Sequence, residues 1–280
     1  MSEPKKEEPV ALPQPLRMHN FLPWDPDFPH EWQEESEGCG AAASSMVYRA
    51  LGHPVPQKDI FKVVAVPDGD GGLTCLDHLL YLDALIRGFH ALHVRAINPI
   101  EMLKDCYEHS IKAIVNERAG PNSIVGHATV LIGIDDETVY LHCSALGPRQ
   151  PYSHNEVLER MAPMGISDIC LGNSLMLISN PLTEKHTCKE CDKEIPEWIS
   201  CPNCGDQIRL SPREPLGCID SECAGHKWLD IECPSCFQGI RRLEDRNEGM
   251  ISPEEWPKVR KERQEEIEEQ KNRFKAIWLK

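Results

Sequence analysis

The chain has 280 residues, of which 40% are hydrophobic, and it carries a net charge of −15 at pH 7. A nucleic-acid-binding protein needs a cationic surface to neutralise phosphates, so this charge disfavours nucleic acid as a partner. No run approaches the roughly 20 apolar residues of a membrane-spanning helix, and the N-terminus lacks the apolar segment of a signal peptide. We therefore expect a cytoplasmic protein with neither a nucleic-acid nor a membrane partner.

The first part of the chain divides into an arm and a globular region. Residues 1–30 are rich in proline and charge and predict an extended arm, anchored by Phe21, Trp24 and Phe28. The globular region is predicted to span residues 31–182. Apolar residues at helical spacing predict three helices in it, over 40–51, 74–88 and 98–108.

Short β-like segments follow these helices. Apolar runs predict strands over 111–115, 128–134, 138–142 and 174–179, with a short helix over 154–161. Asp135 and Asp136 mark a turn between the second and third strands, which predicts a hairpin. Helices followed by an antiparallel sheet indicate an α+β fold.

Paired cysteines dominate residues 187–240. Two sets have nearly the same spacing, C-x2-C-x9-C-x2-C and C-x4-C-x9-C-x2-C, and the segments 199–204 and 231–236 repeat with an offset of 32 residues. We assign the first set to one metal site and the second set to another. The first contains Cys188, Cys191, Cys201 and Cys204, and the second contains Cys218, Cys223, Cys233 and Cys236.

Four thiolates complete a tetrahedron around Zn²⁺ and leave no open position for water, so two structural zinc ions are expected. Segments this short bury little apolar surface, and metal binding would supply the missing folding free energy. Disulfides are the alternative, but they do not account for the doubled spacing. The block resembles the double zinc ribbons attached to many bacterial and archaeal regulatory proteins. We expect this module to bind a protein partner.

The last segment, 253–280, predicts a charged helix in which acidic and basic clusters alternate. It fits a solvated helix held by ion pairs between successive turns. Alternatively, its apolar end, 274–280, docks on a partner or on the globular region.

A candidate nucleophile stands at the start of the first helix. Cys39 precedes Gly40 and three alanines, and the positive end of a helix dipole lowers the pKa of a thiol. Gln33, six residues upstream, can present its amide N–H to an oxyanion beside the Cys39 backbone N–H. His127 stands at the head of an apolar strand and can act as a general base and then acid.

This arrangement resembles the papain-like cysteine peptidases, most closely their bacteriocin-leader-processing branch. The resemblance rests on Q-x5-C-G opening a helix, then Gly-His with an apolar strand, then a Val-Tyr strand. It implies that Gln33 is the oxyanion-hole residue, Cys39 the nucleophile and His127 the base. The substrate would be a protein or peptide.

One position departs from the family pattern. Family members usually place Asp or Asn on the next strand to orient the histidine, and here Cys143 stands at that position, after His142. A thiol accepts hydrogen bonds poorly and holds an imidazolium weakly. Three interpretations are open: a Cys–His dyad, substitution by a neighbour such as His142, or loss of catalysis.

We therefore expect a cysteine peptidase joined to a zinc-ribbon module that binds a protein partner. The alternative is a catalytically inactive papain-like scaffold that acts as a zinc-ribbon adaptor. The remaining cysteines of the globular region, Cys75, Cys106 and Cys170, lie among apolar residues and are expected in the core.

Overall fold

A computed structural model describes residues 23–67, 72–120, 126–163, 172–182 and 185–240. Phe21, Cys170 and the predicted C-terminal helix over 253–280 lie outside these residues. The helices of the described part are α1 (Cys39–Ala50), α2 (Gln57–Val64), α3 (Asp77–Ile86), α4 (Pro99–Glu108) and α5 (His154–Met161). None of these helices is both long and apolar enough to cross a membrane.

The strands belong to one large sheet and three small hairpins. The globular region contributes β1 (Ala65–Pro67), β2 (Leu73–Cys75), β3 (His90–Ala96), β4 (Lys112–Arg118), β5 (Gly126–Ile134), β6 (Thr138–Cys143), β7 (Gly147–Ser153) and β8 (Ser174–Ser179). The cysteine-rich part contributes β9 (His186–Thr187), β10 (Glu194–Ile195), β11 (Trp198–Ser200), β12 (Gln207–Arg209) and β13 (Trp228–Ile231). The large sheet has the order β13-β3-β8-β4-β5-β6-β7, and every neighbouring pair is antiparallel.

The large sheet is covered on both faces, which explains the continuous apolar runs of its central strands. Because successive side chains of a strand point to opposite faces, Ile114 packs with the cluster of α1, α2 and α3, whereas Val115 packs with that of α4 and α5. The same alternation separates Val130 from Leu131. Burial of both faces makes these strands the centre of the core.

The predicted α+β class is confirmed, and most predicted elements are present. The hairpin at Asp135 is β5 and β6, and Asp135 stabilises its turn by accepting from the backbone N–H groups of Glu137 and Thr138. The predicted helix over 74–88 begins three residues late, because β2 pairs with β1 up to Cys75. The strands β3 and β7 were missed, since β3 carries histidines and an arginine and β7 carries two prolines.

The described part of the N-terminal arm is held against the hairpin. Trp24 forms a bridge with Gly133 of β5, and its ring lies 4.8 Å from that of Tyr140. Phe28 is buried at 7% exposure, beside the His142 ring. Both of these predicted anchors therefore pack on the globular region.

The cysteine-rich part is not separate from the sheet. β13 pairs with β3 as the outermost strand, and Ile231 and Cys233 belong to the same buried cluster as Leu103 of α4. The cysteine-rich part therefore contributes side chains to the core of the globular region. Without β13, β3 would be an edge strand with unpaired backbone groups, and the apolar face of α4 would be exposed. The cysteine-rich part covers both.

Candidate active site and metal centres

The first candidate residue, Cys39, begins α1. Its N-cap is Gly38, which offers no side-chain hydrogen bond to the helix. The helix approaches its neighbours closely, since a Cβ on Gly40 would lie 2.6 Å from Leu80 Cδ1 and 3.3 Å from Cys75 Cβ. Glycine at this position lets α1 pack against α3, and the Cys39 sulfur lies against the Ala128 backbone near the start of β5.

The electrostatic environment of Cys39 differs from the simple expectation. Burial raises the pKa of the thiol, while the backbone N–H groups of Ala128 and Gly40 lower it and the charges of Asp77 and Glu37 raise it again. The net shift is upward, so the expected lowering by the helix end does not prevail. In this state Cys39 is a neutral thiol near pH 7 and needs a base to become a nucleophile.

His127 stands directly before Ala128, so its backbone is next to the N–H group that faces the Cys39 sulfur. Its Nε2 lies 3.2 Å from Cys143 Sγ, which places Cys143 in the position where an orienting group is required. The Cys143 sulfur also accepts a hydrogen bond from the Leu146 backbone N–H at 3.2 Å. Burial and the charge of Arg160 lower the pKa of His127, which favours the neutral ring that a general base requires.

The tautomer of His127 depends on Cys143. If Nε2–H donates to the sulfur, Nδ1 is free to accept a proton; if the thiol donates to Nε2, Nδ1 carries the hydrogen and is not a base. A carboxylate at this position accepts only, which selects the first state. Cys143 permits both states.

His142, the other candidate for orienting His127, is engaged elsewhere. Its Nε2 donates to the Phe28 carbonyl at 3.2 Å, and its Nδ1 accepts from the Arg149 backbone N–H at 3.2 Å. These two bonds fix a neutral ring, and burial lowers the pKa of His142 to about 4. Both ring nitrogens of His142 are therefore bonded to the backbone, and neither orients the His127 ring.

Gln33 lies beside the candidate site but uses its amide inside the loop before α1. Its Nε2 donates to the carbonyls of Glu35 and Ser36, at 3.2 and 2.7 Å, and its Oε1 accepts from the Ser144 hydroxyl at 3.1 Å. Both amide hydrogens are thus occupied in this conformation. Here Gln33 ties the loop that leads to Cys39 to the segment after Cys143.

A buried ion pair, which the sequence did not reveal, lies next to His127. Glu117 faces His127 across β4 and β5, and its carboxylate forms two hydrogen bonds with the Arg160 guanidinium, at 2.8 and 2.9 Å. The Glu117 side chain is fully buried and that of Arg160 is 13% exposed. Glu117 and Arg160 are 43 positions apart in the sequence, on β4 and α5. No local sequence pattern could predict that they pair.

The eight cysteines of the C-terminal part form two groups of four, as predicted, but the grouping differs. One group contains Cys188, Cys191, Cys218 and Cys223, and the other contains Cys201, Cys204, Cys233 and Cys236. The predicted sets, in which the pairs at 188 and 201 shared one ion and those at 218 and 233 the other, are therefore wrong. The pairs alternate between sites along the chain, so each site joins residues 188–204 to residues 218–236.

The geometry of both groups fits a tetrahedral metal ion. Four sulfurs at about 2.3 Å from a zinc ion lie about 3.8 Å from one another. In each group all four sulfurs lie within 4.8 Å of one another, and two pairs of sulfurs in each group are 3.6 to 3.7 Å apart. These separations are far longer than the roughly 2 Å of a disulfide bond, so the disulfide alternative does not apply to this arrangement.

The first group shows how the backbone supports negatively charged sulfur. Backbone N–H groups two residues later donate to Cys188, Cys218 and Cys223, each at 3.4 Å. Gly225 is required for a tight fit, because a Cβ there would lie 2.8 Å from the Cys188 sulfur. These contacts suit thiolate ligands, since each N–H group stabilises the charged form.

A second polar cluster joins the two parts of the chain. His93 of β3 places Nε2 2.7 Å from the Ser174 hydroxyl and Nδ1 2.7 Å from the carboxylate of Glu232, which resembles a Ser–His–acid triad. Burial favours the neutral ring, but the charges of Glu232 and Asp77 outweigh it and raise the pKa of His93 to about 9. A protonated ring cannot take a proton from Ser174, so this cluster is not a catalytic triad. The hydrogen bond between His93 and Glu232 instead links β3 to the cysteine-rich part.

No family model and no curated protein matches the chain. Solved structures do. One is a C39-like peptidase from Bacillus anthracis, with 13% identity, a TM-score of 0.45, and 56% of this chain and 96% of that chain covered. A second is the peptidase domain of Streptococcus ComA, a bifunctional ABC transporter of a quorum-sensing pathway, with 13% identity, a TM-score of 0.41, and 55% and 99% covered.

A third solved structure is a double-glycine-motif protease from an AMS/PCAT transporter in complex with the leader peptide. It has 20% identity and a TM-score of 0.39, with 54% of this chain and 91% of that chain covered. These neighbours are C39-like peptidases.

Proposed function

We propose that the protein is a cytoplasmic cysteine peptidase that acts on a protein or peptide substrate. The observation that carries the proposal is the position of Cys39 at the N-terminus of α1, with its sulfur against the Ala128 backbone N–H and His127 directly before it. We infer that His127, on the strand whose backbone meets the Cys39 sulfur, serves as the base, since a thiol at a helix N-terminus paired with an imidazole forms an activated nucleophile.

Each residue then has a defined role. His127 takes the proton of the Cys39 thiol as the sulfur attacks the substrate carbonyl, and later returns a proton to the leaving amine. The Cys39 backbone N–H would donate to the oxyanion, because the first N–H groups of a helix lack an intrahelical acceptor. Gln33 holds the loop before Cys39, and rotation of its amide would add a second donor. Cys143 contacts His127 but holds it weakly, so the site acts essentially as a Cys39–His127 dyad.

The two cysteine groups would each hold one structural zinc ion. Cys188, Cys191, Cys218 and Cys223 bind the first ion, and Cys201, Cys204, Cys233 and Cys236 bind the second. The ions would supply folding free energy and no catalytic step, because four thiolates leave no position for substrate or water. The surface of this part, together with the segment 253–280, would be the contact for a protein partner.

The experiment that tests the catalytic proposal is alkylation with iodoacetamide at neutral pH, followed by peptide mass spectrometry. We expect Cys39 to react at least about tenfold faster than Cys75, whose thiol has its pKa raised to about 12 by burial. Equal rates at the two positions would contradict the proposal. Elemental analysis should give two zinc ions per chain, and zero or one ion would contradict the metal assignment.

A catalytically inactive scaffold is the second candidate, and specific observations favour it. Burial raises the pKa of Cys39, a thiol stands where an acid is expected, and the Gln33 amide hydrogens are occupied. In that case the working part is the cysteine-rich surface as an adaptor. Slow alkylation of Cys39, together with normal zinc content, would favour this second function.

A further inference from the structure

Two large apolar side chains are exposed next to Gln33 and Cys143 of the candidate site. Among the described residues, Leu146 and Trp32 are the most exposed large hydrophobic side chains, at 60% and 58%. Trp32 directly precedes Gln33, and the Leu146 backbone N–H donates to Cys143 Sγ. They are neighbours in space, since a Cβ on Gly147 would lie 3.2 Å from the Trp32 ring. We call Trp32 and Leu146 the apolar rim.

The rim is held in place by fixed backbone. The Trp32 carbonyl accepts from Gln57 Nε2 at 2.8 Å, and the His30 ring stands edge-on to the indole at 5.2 Å. The Gln57 amide is itself 5% exposed, so this anchor is buried. Exposed apolar surface that is rigidly presented beside a reactive group is typical of a contact for a ligand.

The loop that joins the rim to Cys39 is strongly acidic. Glu34, Glu35 and Glu37 are all exposed, and residues 31–38 contain no lysine or arginine. Glu31 is already paired with Arg49 at 2.6 Å. The segment after Cys143 contributes one cation, Arg149, and the Arg160 guanidinium next to His127 is paired with Glu117.

This charge acts on the nucleophile itself. Glu37 and Asp77 both raise the pKa of the Cys39 thiol, which means that their negative field reaches the sulfur. Clefts lined by one sign of charge attract ligands of the other sign and accelerate their association. A substrate with a cationic side chain near the scissile bond would be drawn to this rim, and one with a carboxylate would be repelled.

We infer that the site is selective for peptides with a bulky apolar side chain next to lysine or arginine at the scissile bond. The apolar side chain contacts Trp32 and Leu146, and the cation lies by the glutamates of residues 34–37. This inference rests on the proposed peptidase function, because it names the substrate class of the same site.

The test uses peptidyl acyloxymethyl ketones on the full chain. With these probes the Cys39 sulfur displaces the carboxylate leaving group and forms a thioether, while the thiol proton goes to His127. Three acetylated dipeptide probes are compared: Leu-Lys, Leu-Glu and Ala-Lys. We expect the second-order labelling rate of Cys39 to be at least about tenfold higher for Leu-Lys than for Leu-Glu in low salt, and the ratio to fall in 0.5 M salt.

Variants assign the two contacts. Replacing the three exposed glutamates by glutamine (E34Q, E35Q and E37Q together) should reduce the Leu-Lys to Leu-Glu ratio to about two, whereas the matched change E101Q with E108Q on α4 should not alter it. Trp32→Ala should remove the preference for Leu-Lys over Ala-Lys, and Trp198→Ala, in the cysteine-rich part, should leave it. If Cys39 of the Trp32→Ala variant no longer reacts with iodoacetamide, that variant is misfolded. The milder variant Trp32→Leu is then used in its place.

The outcomes separate the two claims. If Cys39 reacts with iodoacetamide and with all three ketones at equal rates, the peptidase proposal survives and the selectivity is overturned. If Cys39 reacts with neither reagent class, the proposed function itself fails. A rim that binds a basic, apolar peptide without labelling of Cys39 would overturn both and indicate a docking surface on an inactive scaffold.

Discussion

The globular region and the cysteine-rich part both contain cysteines, but they surround the sulfur differently. Cys75 and Cys106 pack among apolar side chains, and burial raises the pKa of each thiol. In the cysteine-rich part, backbone N–H groups point at Cys188, Cys218 and Cys223. Apolar packing favours the neutral thiol, whereas directed N–H groups favour the thiolate that a metal requires.

Cys39 lies between these two environments. It receives N–H groups from Gly40 and Ala128, as a ligand does, yet burial still raises its pKa, as in a core thiol. The difference teaches that the helix end alone does not activate this sulfur. In the proposed mechanism the reactivity of Cys39 depends on His127 and therefore on the group that orients the His127 ring.

The largest expected effect concerns how the two parts are joined. Cys233 is fully buried in the cluster shared with α4, and it directly follows Glu232, the partner of His93. We expect Cys233→Ala to lose one zinc ion and to lower the free energy of unfolding by several kcal/mol, on the order of 5. Hydrogen exchange should show lost protection of β3.

The matched variant is Cys223→Ala, in the other cysteine group. It should also lose one zinc ion. β3 should retain its protection, because no cysteine of that group is adjacent to Glu232, the partner of His93. Equal loss of β3 protection in both variants would show that the two cysteine groups fold as one unit. The expected difference between the groups would then be wrong.

The next effect concerns catalysis at Cys39. Cys39→Ala should lower any hydrolytic rate by about 10³-fold or more, because the nucleophile is lost. The melting temperature should change little, corresponding to about 1 kcal/mol or less. Cys106→Ala, at a fully buried position on α4, should show the reverse, with activity kept and stability reduced. Activity retained in Cys39→Ala would exclude this residue as the nucleophile.

A third effect separates His142 from the candidate site. Its pKa is about 4 in the folded protein, against about 6.5 for an ordinary histidine, so the unfolded chain takes up this proton first as pH falls. The stability contribution is complete above pH 6.5, declines between pH 6.5 and 4, and amounts to roughly 3 kcal/mol. His142→Asn should flatten the fall in stability across that window in urea unfolding. An unchanged pH dependence would mean that another histidine carries the effect.

The smallest effect tests the role of Cys143. Cys143→Asp would place a carboxylate at the position 3.2 Å from His127 Nε2, fix the tautomer with Nδ1 free and stabilise the imidazolium. The nearby Arg160 charge would favour the ionised carboxylate. We expect alkylation of Cys39 to become about tenfold faster near pH 6–7, where the ion pair would hold the thiolate.

Cys143→Ser is the control for this change, since it alters the atom without adding a charge. It should leave the alkylation rate within about twofold of the original. A rate that stays equal or falls in Cys143→Asp would indicate that the ring is already oriented by another group, and the proposed role of Cys143 would have to be abandoned.

Local patterns determined much of the fold. The helix at Cys39, the hairpin at Asp135 and the apolar strands β5 and β8 were predictable, because helical spacing, turn residues and continuous apolar runs act over a few residues. The position of Cys143 beside His127 follows from hairpin register, which the turn sets. For the same reason, the eight cysteines of the two groups were recognised by spacing within each pair.

Contacts between distant segments were decided only by the tertiary structure. Spacing within a C-x2-C pair is local, but which pairs share an ion depends on how β9 to β12 fold against residues 218–236, and both groupings satisfy the sequence. The pairing of β13 with β3, the Glu117–Arg160 ion pair and the occupation of the Gln33 amide by loop carbonyls are likewise long-range or conformational. The pKa of Cys39 belongs to this class, because burial, which no local pattern measures, outweighs the helix end.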